Sequence, residues 1–405
     1  MDKEGGTTAL RKNHQNEAVY LRNQLVDQLI EKDYIRSKKI EDAFREVPRD
    51  SFLPNFDLQE VYSDGSVITR RIGIEPLSSS TAPSLMASML EILRLKEGMN
   101  VLEIGTGTGY NAALMAEMVG DTKRVFSVDI DEETVQEARQ NLSVAGYKGI
   151  VIKCADGTKG FLEYAPYDRI IVTASVSNIP ESLIGQLRNE GIMVLPIWIN
   201  GTQITPALEK QKDSTLVGLS TTIGGFMELR SQNYQEILSD VSRKTQKGKL
   251  LISSEHLELF DERQVKLLLK GPHEEKPLPS EGILPPRGST FFIFLALHER
   301  KSVELFLESE VDEFGFGDSA AGIIDLEKDS ACLFSHDNRL LVYGNSGAYE
   351  KIVRLSKKWD DLKRPGVDRL QVFAYNKSQI PKLELKSNDI LFKNKLLLVR
   401  ILEGR

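Results

Sequence analysis

Cysteine is almost missing: Cys154 and Cys332 are the only two, and they lie far apart in the chain. Two thiols build neither a disulfide scaffold nor a four-ligand zinc site, and such sparse use suits a reducing compartment. Histidine is scarce too, and its five copies show no metal-ligand spacing, so no metal site is expected. No apolar run is long; residues 291–297 form the longest, far short of the ~20 residues of a membrane span. Residues 1–15 are polar and lack the apolar core of a signal peptide, so a cytoplasmic protein without membrane partners is expected. Positive charge is not in excess either. A net charge of -7 argues against nucleic acid as the main partner.

What is present is a globular composition. Apolar residues make up 40% and charged residues 27%, which excludes wholesale disorder, and 405 residues exceed one ordinary compact domain. Leu21, Leu25, Leu29, Ile35, Ile40 and Phe44 recur at helical spacing and predict two short helices ending at Pro48. A polar loop follows, then a helix over 83–95 stopped by Gly98. Strands are predicted at 101–104, 124–128, 150–153, 169–173 and 192–197. Between them lie a helix over 110–118, one capped by Asp131 and running to about residue 145, and one opened by Pro180. Such alternation implies an α/β fold with a parallel sheet covered on both faces.

Past Gly201 the pattern turns β-rich, as at 215–221, and the proline- and glutamate-rich stretch 271–288 reads as a linker or surface loop. A strand over 290–297, an amphipathic helix over 348–362 and a final strand over 395–401 complete the reading. The expected organisation is N-terminal helices with a substrate and catalytic loop (1–95), a cofactor-binding core (96–240) and an additional α+β C-terminal domain (241–405).

The sharpest motif is VLEIGTGTGY at 101–110. Gly105, Gly107 and Gly109 let the backbone turn sharply at the carboxyl end of a strand, where open α/β sheets bind ligands. Asp129 ends the next strand and suits two ribose hydroxyls. The dinucleotide fingerprint is G-x-G-x-x-G, whereas the spacing here is G-x-G-x-G, with Glu103 two residues before the first glycine. A carboxylate there suits a ligand bearing an ammonium group, such as the methionine portion of S-adenosylmethionine, better than one bearing phosphates. Asp156, followed by Gly157, adds a third acid suited to an adenine amino group. A dinucleotide site and a turn with no ligand are the competing readings.

VPRDSFL at 47–53, SSSTAP at 78–83, the glycine loop, ADG at 155–157, APYD at 165–168, IIVTA at 170–174 and the stretch 191–197 follow in order. Together they resemble successive blocks of the protein L-isoaspartyl O-methyltransferases over roughly residues 35–230. The resemblance implies a Rossmann-like class I methyltransferase fold, S-adenosyl-L-methionine as cofactor, and methyl transfer to an aspartyl or isoaspartyl carboxylate of a peptide or protein. It implies cofactor binding by Glu103, Gly105, Thr106, Gly107, Gly109, Asp129, Ile130, Asp156 and Gly157. Thr81 stands at the position of a hydroxyl that lies near the accepting carboxylate, where the family usually has serine, and Ser80 is a substitute donor. Ser79, Ala82, Pro83, Val172, Thr173, Ala174, Leu195 and Pro196 fall in segments that resemble the peptide-binding ones. A plain N-cap for the next helix is the bland reading of the hydroxyl run.

Segments beyond residue 290, namely FFIFLAL, LVYG at 341–344, Trp359 and RPGVDRL at 364–370, resemble the C-terminal part of variants found with lanthipeptides, lasso peptides and graspetides. That resemblance implies a dedicated precursor peptide as partner, methylated at a normal aspartate on the way to succinimide or isoaspartate. Lys351, Arg354, Lys357, Lys358, Lys363 and Arg364 form a basic stripe that faces either an acidic peptide or only solvent. General repair of isoaspartyl damage is the alternative enzyme reading, and a cofactor-binding adaptor without turnover is the alternative of another class.

Overall fold

A computed structural model of the chain describes residues 3–72, 75–231, 249–254, 256–279, 290–308, 312–335, 337–375, 379–380 and 383–402. Helices α1 (Lys3–Glu31) and α2 (Lys38–Glu46) bury the periodic Leu21, Leu25, Leu29, Ile40 and Phe44, as their spacing requires. After the short α3 (Leu58–Val61), a hairpin of β1 (Val67–Ile72) and β2 (Glu75–Ser80) occupies the expected polar loop. Helix α4 (Pro83–Leu93) starts with proline, whose missing N–H costs nothing there. It ends at Arg94 in the left-handed region rather than at Gly98, and Arg169 Nε donates to the carbonyl of Leu93 at 2.8 Å.

The main sheet begins with β3 (Val101–Ile104), then α5 (Tyr110–Val119), β4 (Val125–Asp129), α6 (Glu132–Val144), β5 (Val151–Cys154), β6 (Tyr167–Val172), α7 (Glu181–Gln186) and β7 (Leu187–Val194). Strands β5, β4, β3, β6 and β7 are parallel neighbours in that order. Ile104 pairs with both Val128 and Val172, so three strand ends lie side by side. The chain reverses direction across the sheet between β3 and β6, the switch point where such sheets bind ligands. This is the Rossmann-like arrangement the alternation implies. Strands β8 (Ile197–Ile199), β9 (Thr202–Lys210) and β10 (Leu216–Ile223) extend it antiparallel.

Further along come β11 (Lys249–Ser253), α8 (Glu262–Leu269), β12 (His273–Lys276), α9 (Thr290–His298), β13 (Ser302–Glu308), β14 (Ser319–Asp325), β15 (Ser330–Ser335) and β16 (Leu340–Gly344). The six strands form one antiparallel sheet ordered β11-β13-β14-β15-β16-β12. Helix α10 (Gly347–Asp361) then leads to β17 (Leu370–Ala374), β18 (Asp389–Phe392) and β19 (Leu397–Ile401). These last three strands return to the main sheet, β17 pairing with β10. The approach is close: a Cβ at Gly218 would lie 2.5 Å from the carbonyl oxygen of Val372. Sheet membership therefore gives β17, β18 and β19 to the main sheet. The expected boundary near residue 240 lies outside the described residues, as do residues 280–288 of the predicted linker; in its described half the linker reading is corrected, because residues 273–276 form β12 and pair with β16.

One expected strand is corrected. Residues 290–297 form helix α9, and each of residues 291–297 is at most 4% exposed. An apolar run without a period does not distinguish a buried strand from a helix that is buried all round. Helix α9 lies between the two sheets, in one core with Ile204 and Leu208 of β9, Ala321 and Ile323 of β14, and Trp359 of α10. The basic stripe along and just after α10 is divided: Lys351 pairs with the buried Glu299, whereas Arg354, Lys357, Lys358, Lys363 and Arg364 are exposed, Arg364 pairing with Asp360. Among the described residues no helix is long and apolar enough to cross a membrane.

Candidate active site

A cavity of about 260 Å³ opens where β3, β4 and β6 end. Its deepest charged group is Glu103, fully buried on β3. Glu103 Oε1 accepts a hydrogen bond from Asn111 Nδ2 at 2.8 Å, and Oε2 accepts one from Ser127 Oγ at 2.6 Å. Ser127 Oγ in turn lies 2.7 Å from Thr106 Oγ1. Burial pushes the Glu103 carboxyl up to about 7, with the bonds from Ser127 and Asn111 pulling the other way. A cationic ligand group beside it would favour the charged form.

The glycine loop makes the floor. Gly105 has φ +98, and a Cβ there would lie 2.4 Å from Thr173 Oγ1, whose hydroxyl donates to the carbonyl of Gly105 at 2.7 Å. The Gly107 N–H reaches Asp129 Oδ2 at 3.1 Å, and the Asp131 N–H reaches Oδ1 at 3.2 Å. Burial raises the Asp129 carboxyl above its usual range, and these backbone donors offset part of that. Asp131 caps α6 through Thr134 and pairs with Arg70 of β1; although burial works against it, these partners hold its carboxyl below the usual range.

The opposite wall carries hydroxyls. Strand β2 brings Ser78, Ser79 and Ser80 to the cavity, and Thr81 follows just before α4. Ser80 is 3% exposed and its Oγ has no hydrogen-bond partner. The N-cap reading does not hold for these hydroxyls, because Ala82 is the N-cap residue and the Ser84 N–H is accepted by Asp64 Oδ1 at 2.9 Å. A strap over 225–230 completes the wall. Ser175 N–H donates to the Met227 carbonyl at 2.8 Å, and Leu229 N–H to the Ser175 carbonyl at 2.8 Å. Arg230 then donates to the carbonyls of Pro76 and Leu77 at 3.2 and 3.3 Å, tying the strap to the hairpin.

The structure thus brings Ser79, Ser80, Thr81, Glu103, Gly105, Thr106, Gly107, Asp129, Ile130, Gly157, Thr173 and Ala174 onto one cavity. Seven predicted residues do not line it. Ala82 and Pro83 begin α4; Gly109 packs against Leu142; Asp156 caps the turn after β5 by accepting from Thr158 N–H at 2.9 Å. Val172 and Leu195 are buried in the core below, and the Pro196 carbonyl accepts from Val176 N–H at 2.9 Å. Sequence reasoning missed the strap, the hairpin residues Ser66 and Ile68, and Asn111. The pair Gly224 and Gly225 after a strand was the only local signal for the strap. Among the described residues no group of three or more metal-ligating side chains occurs.

The cavity therefore joins an acidic half, suited to a cation-bearing nucleoside, to a hydroxyl-lined half, with no histidine among its lining residues. Such a site suits transfer to an acceptor that is already anionic. A family model described as protein-L-isoaspartate(D-aspartate) O-methyltransferase (PCMT) matches residues 20–233. The protein-L-isoaspartate O-methyltransferase of Methanosarcina mazei is 38% identical over 214 residues, covering 53% of this chain and 84% of that protein. The one from Thermotoga maritima is 41% identical over 189 residues, covering 46% of this chain and 59% of that protein. A solved protein-L-isoaspartate O-methyltransferase superposes with a TM-score of 0.50 and 27% identity, covering 87% of this chain and 96% of its own.

Proposed function

Since this chain belongs to the protein-L-isoaspartate(D-aspartate) O-methyltransferase family and is an S-adenosyl-L-methionine-dependent carboxyl methyltransferase, we propose that its cavity methylates an isoaspartyl carboxylate of a peptide at Thr81. The observation that carries this is the meeting of Glu103 and Asp129 with the Ser79–Thr81 hydroxyls across one small cavity. The buried Glu103 carboxyl would accept hydrogen bonds from the ammonium of the methionine portion, and Asp129 would accept them from the ribose hydroxyls. The cofactor, when bound, supplies a methyl group on a sulfonium.

The chain's own work is then positioning. A carboxylate with a pKa of about 4 is ionised at neutral pH, so no general base is needed. The Thr81 hydroxyl donates to the accepting carboxylate and fixes its approach. The strap, held by Ser175 and Arg230, keeps water from the reacting atoms.

A second reading, tailoring of a normal aspartate in a ribosomally made precursor peptide, rests on the resemblance of the C-terminal segments. The solved relative covers more of this chain than residues 20–233 contain, so the similarity reaches into that same region in a protein named for isoaspartate methylation; this favours repair. The deciding experiment is methylation with labelled cofactor, followed by mass spectrometry, of matched isoaspartyl and aspartyl peptides. Transfer to the isoaspartyl peptide alone supports repair. Transfer to the aspartyl peptide, or to a precursor encoded nearby, with later loss of methanol, replaces it with tailoring.

A further inference from the structure

Arg49 is fully buried, at the start of the short 3-10 turn Arg49–Phe52. Its Nη1 donates to the carbonyl of Thr81 at 3.2 Å, and its guanidinium carbon lies 5.2 Å from the ring centre of Tyr110. Thr81 and Tyr110 both line the cavity, so this cation sits directly behind the wall that presents the acceptor hydroxyl. Its Nε and Nη2, the parallel pair that grips carboxylates, have no partner.

Among the described residues no carboxylate forms an ion pair with Arg49. The nearby acids are engaged: Asp50 accepts from the Tyr62 hydroxyl, and Asp64 accepts from the Ser84 N–H. Burial disfavours the charged guanidinium, with only Tyr110, Tyr62 and Asp64 opposing, yet arginine keeps its proton. An unpaired buried cation is costly, and an apolar side chain of similar volume would pack there at lower cost.

We propose that Arg49 is a positioning residue for the methyl acceptor: it fixes the backbone of Thr81, and its uncompensated charge draws the substrate carboxylate to the Thr81 hydroxyl. This rests on the reading that the acceptor is a carboxylate at Thr81. Because that carboxylate loses its charge as the ester forms, the attraction is stronger before transfer than during it. The effect therefore falls on peptide binding more than on turnover.

The test uses the full chain with Arg49→Met, Arg49→Gln and Arg49→Lys. Peptide affinity is measured by calorimetry for an isoaspartyl peptide and its neutral isoasparaginyl counterpart, alongside methylation rates, cofactor affinity and melting. Arg49→Met is expected to raise the KM for the isoaspartyl peptide about tenfold, with kcat and cofactor Kd changed less than about threefold and melting unchanged or higher. The preference for acid over amide should shrink by a similar factor, and Arg49→Lys should restore most of it. If Arg49→Met does not fold, Arg49→Gln carries the same comparison.

An unchanged acid preference overturns the proposal. So does a rise in KM matched by equal losses in cofactor affinity and melting, which would mark a structural role. A wild-type protein that does not favour acid over amide also overturns it. One that favours the acid but transfers no methyl group contradicts the activity and leaves the Arg49 comparison readable by binding.

Discussion

The two sheets handle buried polar groups in opposite ways. At the ends of β3, β4 and β6, Glu103, Asn111, Thr106 and Ser80 line one cavity with Ser127 bonded to Glu103 behind it, and Ser80 Oγ and Asn111 Oδ1 remain without partners. In the antiparallel sheet the comparable groups are tied to close neighbours. Tyr343 Oη donates to the Phe314 carbonyl at 2.6 Å, Lys301 sits between Asp325 and Glu327, and Ser330 Oγ donates to the Asn345 carbonyl at 2.7 Å. Among the described residues the strands of the antiparallel sheet carry no buried side-chain nitrogen or oxygen without a partner, whereas the cavity wall carries two. The second sheet therefore reads as a support for the first, joined to it through α9.

The sharpest way to break that comparison is to remove the support. A chain ending at residue 231 lacks α9 and β17–β19 and leaves the β10 edge and the inner core open. It is expected not to fold cooperatively; a cooperative melt with retained cofactor binding by calorimetry would show the two sheets to be independent. Leu295→Ala, in the middle of α9, should cost about 2–5 kcal/mol in urea denaturation, with cofactor affinity kept below the transition. A loss of affinity without loss of stability would mean that α9 acts on the site itself.

Smaller effects belong to the cavity. Asp129→Ala should weaken cofactor binding by about tenfold or more, near 1.4 kcal/mol, while melting moves little. Unchanged affinity would remove Asp129 from the ribose position. Thr81→Val should slow turnover about tenfold at unchanged cofactor affinity, and an intact rate would move the acceptor contact to Ser80.

The buried Glu103 carboxyl also predicts a pH slope. Glu103 is held at about 7 against an ordinary 4.5, so between these values the folded state keeps a proton that the unfolded state has released. Stability then falls as pH rises through that window. Denaturation at pH 5 and pH 8 should show the fall in the wild type and a shallower one in Glu103→Gln; equal slopes would place the titration elsewhere.

The site was legible where chemistry is written locally. The three glycines and Glu103 sit in ten consecutive residues, and Asp129 ends the next strand, so spacing alone gave the acidic half of the cavity. The fold was legible where apolar residues have a period, as in α2, or where short apolar runs alternate with helical segments, as in β3 to β6. Residues 290–297 have none, and only the two sheets around them decide for a helix. The hairpin was hidden because Ser78, Ser79 and Ser80 carry little strand propensity; pairing with β1 holds them extended. Leu195 and Pro196 were placed by resemblance, and they lie beside the site rather than on its wall. The contacts of the strap, of Arg49 and of β17 with β10 all depend on partners distant in sequence, and beyond the Gly224–Gly225 pair no local pattern encodes them.

The pairing of β10 with β17 also sets a schedule for synthesis. Thr221 Oγ1 donates to the Leu370 carbonyl at 2.7 Å, across a separation of 149 residues. At ~5–20 residues per second, a ribosome takes roughly 7–30 s to deliver the second strand after the first. During that interval the nascent chain carries the cofactor loop, yet presents β10 as a bare edge open to mispairing with other chains. The last segment thus covers this edge only when synthesis is nearly finished.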